Sequence, residues 1–138
     1  MDAGEARALF ASAPVARLAT VDAEGGPHLV PITFALDGDV VITAVDHKPK
    51  RTTRLQRLAN IEANPRVAVL ADQYEDDWSR LWWVRADGLA RVIERGDEEH
   101  DRAVERLAAR YPQYAERVPD GPAIEIRISR WSGWRSAR

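Results

Sequence analysis

Residues 27–45 read Pro-His-Leu-Val-Pro-Ile-Thr-Phe-Ala-Leu-Asp-Gly-Asp-Val-Val-Ile-Thr-Ala-Val, and the fold turns on how they are read. His28, Val30, Ile32, Phe34 and Leu36 occupy alternate positions, the period-two pattern of a strand with one buried face. Asp37-Gly38 is a tight-hairpin signal, after which the β-branched run from Val40 to Val45 brings the chain back antiparallel. Pro31 has no N–H for a ladder, so it predicts a bulge or an edge position in the first of these strands. Just upstream, Val15 to Val21 is β-rich, and Asp22-Ala-Glu-Gly-Gly26 has turn composition. Three strands in an antiparallel meander follow.

The flanking segments extend this pattern. Asp2 caps a short first helix, with Glu5 three residues on and Pro14 as its stop. Arg51 to Ala63 predicts a helix with Leu55, Leu58 and Ile61 on one side and Asn64-Pro65 at its end. A fourth strand spans Arg66 to Asp72 and a long fifth spans Leu81 to Ile93. Asp97 to Tyr111 is an amphipathic helix, and Ile124, Ile126 and Ile128 alternate with polar residues in a sixth strand running towards Trp131. The expected fold is α+β: a small, six-stranded, mostly antiparallel barrel with two or three helices, all of residues 1–138 forming one domain.

Composition agrees and narrows the function. With 138 residues, 45% hydrophobic and 30% charged, the chain has the profile of a globular protein able to bury a real core. Cysteine is absent, which removes thiolate metal sites and cysteine nucleophiles and suits a reducing cytosol. Asp2, Glu5 and Arg7 stand where a secretory peptide would be apolar, and no apolar run reaches the ~18 residues of a span, so a cytoplasmic location is expected. The net charge of −2 gives no support to nucleic acid or a membrane as partner.

The fifth strand is apolar on both faces: Trp82, Val84, Ala86, Ala90 and Val92 on one, Leu81, Trp83, Leu89 and Ile93 on the other. A small barrel buries one face, so the second row needs a cover, either a helix of this chain or the same surface of a second copy. A second copy would also bury Trp78, Trp131 and Trp134.

The strongest chemical signal is a basic run. Lys48, Lys50, Arg51, Arg54 and Arg57 lie together with no acid between Asp46 and Glu62. Arg51, Arg54 and Arg57 would share a helical face at the positive end of the middle helix, where cations are disfavoured unless an anion meets them. Two readings stay open on pattern alone: a phosphorylated ligand, or a solvated basic face. His28, His47 and His100 are scattered, without metal-ligand spacing, so no metal site is expected. His28 reads first as a satisfied core or interface histidine. Asp76-Asp77-Trp78 reads as a capped loop with a buried tryptophan before it reads as paired acid/base carboxylates. Thr33 and Thr43 could donate to a ring or a phosphate, or serve only as strand formers. Arg106, Arg110 and Arg117 follow acids and read as an exposed, ion-paired surface. No G-x-S-x-G elbow, P-loop or G-x-G-x-x-G is present.

Four segments in order, RLATVDAEGGPHLVPITF (17–34), VVITAVDHKPKRTTRLQRLANIEANPRVAVLAD (40–72), DDWSRLWWVRADGLARV (76–92) and AIEIRISRWSGW (123–134), resemble the FMN-binding split-barrel family, the pyridoxamine-phosphate-oxidase-like proteins. Within it the chain looks most like small actinobacterial members that use the deazaflavin coenzyme F420. The resemblance implies a split barrel and a two-fold homodimer with cofactor sites at the interface. It implies phosphate contacts from Lys48, Lys50, Arg51, Arg54 and Arg57, a hydroxyl from Thr43, ring contacts around Val30, Pro31 and Thr33, and Trp78 from the partner chain. The activity implied is hydride transfer between the reduced coenzyme and a small organic electrophile. An FMN-dependent oxidase or reductase and a non-catalytic cofactor carrier are the alternatives. The oligoglutamate tail of F420 is anionic, so a basic run extending past a phosphate site suits F420 better than FMN. No catalytic residue is assigned; water or Tyr74 could supply a proton.

Overall fold

The computed structural model describes residues 1–45 and 55–137. Helix α1 (Ala3–Ser12) begins where the Glu5 N–H donates to Asp2 Oδ1 at 2.8 Å, as the capping pattern predicts. Strands β1 (Ala16–Val21) and β2 (Pro27–Ile32) form a hairpin. Its turn is fastened by Asp22, whose Oδ1 accepts from the Glu24 and Gly26 N–H groups. Strands β3 (Ala35–Asp37) and β4 (Val40–Ala44) form a second hairpin, with Gly38 at φ 60°. Then come α2 (Gln56–Ala63), β5 (Arg66–Gln73), a 3-10 turn at Trp78–Arg80, β6 (Trp82–Ile93), α3 (Glu98–Arg110), α4 (Pro112–Glu116) and β7 (Ala123–Arg135).

One seven-stranded sheet has the order β2-β1-β5-β6-β7-β4-β3, and all of its described pairs are antiparallel. Its two edge strands, β2 and β3, are consecutive in sequence and joined only by Thr33 and Phe34. The sheet therefore curls until its edges meet at those two residues, which is the geometry of a split barrel.

The count of seven corrects the expected six. The alternation from His28 to Leu36 is real, but the chain changes neighbours midway: Pro27–Ile32 pairs with β1, Ala35–Asp37 with β4. At the break the Phe34 N–H donates to Tyr111 Oη at 3.0 Å, and that hydroxyl donates to the Phe34 carbonyl at 2.9 Å or the Pro14 carbonyl at 3.2 Å. Pro31 lies on an edge strand, the position its missing N–H requires.

The barrel interior is filled by Leu18, Val41, Val69, Val84, Ala86, Ile124 and Ile126, with Phe10 of α1 and Leu58 and Ile61 of α2 closing it. Phe10 packs on Phe34 and Trp131 at centroid separations of 4.7 and 5.4 Å. Trp131 faces inward because the register shifts between Asp87 and Gly88: Asp87 pairs with Arg130 and Gly88 with Ile128, leaving Ser129 as the extra residue. Gly88 is required there, since a Cβ would lie 2.2 Å from the Arg127 carbonyl oxygen.

Outside the barrel, α3 covers part of the sheet, burying Ile42, Ala44, Ile93 and Ala123 beneath Ala103 and Leu107. Ile93, expected among the uncovered residues, is thus buried within the chain, and so is Leu81. Among the described residues the outer face of β2, β5, β6 and the end of β7 has no such cover. Leu29 is 67% exposed and Leu89 57%, with Leu70 and Trp134 also exposed nearby on that face. No helix among the described residues is long and apolar enough to cross a membrane.

Candidate functional site

A cavity of about 250 Å³ opens where the barrel edges meet, lined by Val15, Pro31, Ile32, Thr33, Thr43, Ala44, Val45, Leu55, Arg57 and Tyr114. Four of the sequence-selected residues, Pro31, Thr33, Thr43 and Arg57, come together in it. The residues on either side of the 46–54 segment, Val45 and Leu55, both line it. Lys48, Lys50, Arg51 and Arg54 lie outside the described residues.

Helix α2 starts later than the pattern predicts. Leu55 is extended (φ −77°, ψ 151°) and its carbonyl accepts from the Leu58 and Ala59 N–H groups, which makes it the N-cap. Arg57 sits in the first turn of α2, and the helical face predicted for it with Arg51 and Arg54 falls on residues outside the described ones. Leu55 packs against the barrel core, so burial of its side chain sets the start of the helix ahead of the basic spacing.

Arg57 is the least compensated charge here. It is half-buried, and among the described residues it has no ion pair and no side-chain hydrogen bond. Burial alone holds its guanidinium below the usual arginine range. It stands at the positive end of a helix whose N-cap offers no side-chain oxygen. Every one of these conditions is relieved by an anion.

The hydroxyls divide differently. Thr43 is buried and donates to the Thr33 carbonyl at 2.7 Å, so it meets a ligand only as an acceptor. Thr33 Oγ1 lies 2.7 Å from Tyr114 Oη. Tyr114 lies on α4, in a stretch to which the sequence pattern assigns no element; the spacing of Tyr111 and Tyr114 about Pro112, directly after a helix, is the available signal. Arg110, expected on an exposed ion-paired surface, is half-buried and donates to the Phe34 and Ala13 carbonyls. Its guanidinium lies 4.5 Å from the Phe34 ring centroid and 5.0 Å from that of Tyr111. The end of α3 thus holds the 33–34 break in place. Arg106 does keep an exposed pair, with Asp37 at 2.9 Å.

The remaining candidates lie elsewhere. Val30 and Trp78 do not line the cavity. Trp78 is 75% exposed, so the described residues of this chain do not bury it, while Asp77 caps the adjoining turn by accepting from the Ser79 N–H and hydroxyl at 3.1 and 2.6 Å. His28 is half-buried with Nδ1 lacking a partner among the described residues, and so is not fully satisfied. His100 is buried beside a separate hollow, Nε2 2.7 Å from the Gly121 carbonyl.

Residues 3–135 match the family profile described as pyridoxamine 5'-phosphate oxidase. Similar solved structures include a conserved hypothetical protein of Mycobacterium tuberculosis, with a TM-score of 0.77 and 22% identity, covering 98% of this chain and 85% of that one. A FAD-binding protein of Mesorhizobium loti gives 0.74 and 20%, covering 96% and 94%. A heme storage protein of Vibrio cholerae gives 0.73 and 17%, covering 96% and 93%. At such identities the likeness is one of fold. No curated protein matches the chain.

Proposed function

This chain belongs to the pyridoxamine 5'-phosphate oxidase family, and from that premise we propose that its cavity holds the phosphate end of a flavin-type cofactor. The observation that carries the reading is Arg57, a half-buried cation without a partner among the described residues, lining a cavity otherwise made of apolar side chains and hydroxyls. A guanidinium offers five N–H donors in a planar fork that matches the oxygens of a phosphate. Lys48, Lys50, Arg51 and Arg54, next in sequence to the cavity, extend the positive charge, and on that ground F420, with its anionic tail, is the preferred form and FMN the second.

The cavity is smaller than the roughly 300–1,000 Å³ that encloses a drug-sized ligand. One chain therefore takes part of such a cofactor, and a second copy completes the site. The uncovered face bearing Leu29, Leu70, Leu89 and Trp134 is the surface such a copy would use, and Trp78 is free to reach the partner's cavity.

A reduced flavin or deazaflavin supplies a hydride to an electrophilic carbon when bound. The chain's own contribution is placement and exclusion of water. Pro31 and Ile32 offer an apolar wall to a ring, Arg57 fixes the phosphate, and Val15, Val45 and Leu55 keep solvent away. No carboxylate or imidazole lines the cavity among the described residues. A carrier of the same cofactor that catalyses nothing is the second reading, favoured by the likeness in fold to a heme storage protein. Turnover of reduced cofactor with small electrophiles such as enones, quinones and nitro compounds separates oxidoreductase from carrier.

The test is a titration of the protein with F420, FMN and heme, read by tryptophan fluorescence. Micromolar or tighter binding of F420, with FMN weaker and heme weaker still, is expected. Binding of heme alone would overturn the flavin reading.

A further inference from the structure

Thr33 Oγ1 and Tyr114 Oη are 2.7 Å apart, and either can be the donor. Two hydroxyls carry two protons, and the bond between them uses one. Among the described residues neither oxygen has a second hydrogen-bonding partner, so one O–H remains free at the lining of the cavity. A phenol O–H is a stronger hydrogen-bond donor than an aliphatic O–H, because its oxygen shares electron density with the ring.

Its support is rigid. The Tyr111 ring stands edge-on to Tyr114, with centroids 5.6 Å apart and planes at 69°. Tyr111 is fixed in turn by its hydroxyl on the Phe34 backbone and by the Arg110 guanidinium over its ring. Arg110 also donates to the carbonyls of Ala13 and Phe34, so the end of α3, the start of α4 and the barrel break form one assembly. Such a second layer of contacts holds a donor to one direction.

We infer that Tyr114 donates its phenolic hydrogen bond to a ring carbonyl of the bound cofactor, with Thr33 donating to Tyr114 Oη and so turning the phenol proton outward. This rests on the flavin reading above. The number of donors decides which part of the cofactor each group meets. A single neutral O–H satisfies one carbonyl oxygen but leaves most of a phosphate unmet, whereas the Arg57 fork suits the phosphate. Tyr114 is then the contact that reads the ring, and Thr33 is a positioning residue.

FMN and riboflavin separate the two ends, because they share the ring and only FMN carries phosphate. In Tyr114→Phe both ligands are expected to bind about three- to tenfold more weakly, by the same factor. The visible absorption band of bound FMN should also shift, a change that a purely structural role would not produce. Thr33→Ser, which keeps the hydroxyl, should bind as the wild type does, and Thr33→Val should fall between wild type and Tyr114→Phe. Unaltered binding of both flavins and an unaltered band in Tyr114→Phe would overturn the inference. A loss confined to FMN would overturn it too, by moving the contact to the phosphate. A wild-type protein that binds neither flavin nor F420 would overturn the flavin reading itself, an outcome distinct from the other two.

Discussion

The arginines on the α3 side of the barrel and the arginine at the mouth of α2 are treated in opposite ways. On the α3 side every cation discussed has a partner within the chain. Arg91 bonds Glu125 at 2.9 Å and also Glu99, Arg106 pairs with Asp37, and Arg110 bridges two backbone carbonyls and lies over two rings. At the cavity, Arg57 has none among the described residues and burial depresses its pKa. Partnering tells the two regions apart where charge does not. Arg91, Arg106 and Arg110 are engaged within the fold, and the cavity arginine leaves a place for something from outside.

Substitutions can break this contrast or sharpen it. The largest effect on stability is expected at Arg110. Arg110→Ala removes two charge-assisted hydrogen bonds from part-buried carbonyls together with its ring contacts, at a cost of about 2–4 kcal/mol in urea unfolding. It should also weaken flavin binding, because Phe34 and Thr33 lose their anchor. Arg57→Ala should do the reverse. Its unfolding free energy should stay within about 0.5 kcal/mol of wild type, since no hydrogen bond or ion pair is lost among the described residues. FMN affinity should fall roughly 10- to 100-fold with riboflavin unchanged, as expected when a charged hydrogen-bonding partner of phosphate is removed. A marked loss of stability in Arg57→Ala would break the contrast.

The smallest effect is expected at Arg91. Arg91→Ala should cost at most about 1 kcal/mol at pH 7, because the Arg91 side chain is about half exposed, and should leave flavin binding alone. Hydrogen bonding from Arg91 holds the Glu125 carboxyl below its ordinary value of 4.5. A carboxyl with a lowered folded-state pKa stabilises the fold at pH values above its unfolded pKa, and that contribution disappears as pH falls through the folded one. Unfolding measured from pH 7 downward should therefore show wild type and Arg91→Ala converging below about pH 4.5.

Much of the fold is legible in the sequence because alternation and turn chemistry act locally. Asp2, Asp22 and Asp37-Gly38 mark their elements directly, and the β6 and β7 patterns locate the long strands. The break at Thr33-Phe34 is invisible because a strand that changes neighbours without changing face keeps its alternation. The bulge at Ser129 has the opposite difficulty: it moves Trp131 inward through an extra residue whose only other signal is Gly88, 41 positions earlier in the chain. Pattern alone cannot start α2 at Gln56, because burial of Leu55, a tertiary effect, outweighs the basic spacing. For the site, the basic run points to Arg57 and strand placement to the hydroxyls of Thr33 and Thr43, while Pro31 enters only through the family resemblance. Tyr114 could not, since only folding brings α4 to the barrel edge, 81 residues from its partner Thr33. Arg110 is mistaken from sequence for surface because its partners are carbonyls, which carry no residue identity.

The most direct test of the account is a crystal structure of the protein with FMN bound. The account predicts the phosphate within hydrogen-bonding distance of the Arg57 guanidinium, with the ring against Pro31 and Ile32. A flavin bound elsewhere, or in this cavity with its phosphate away from Arg57, would contradict it.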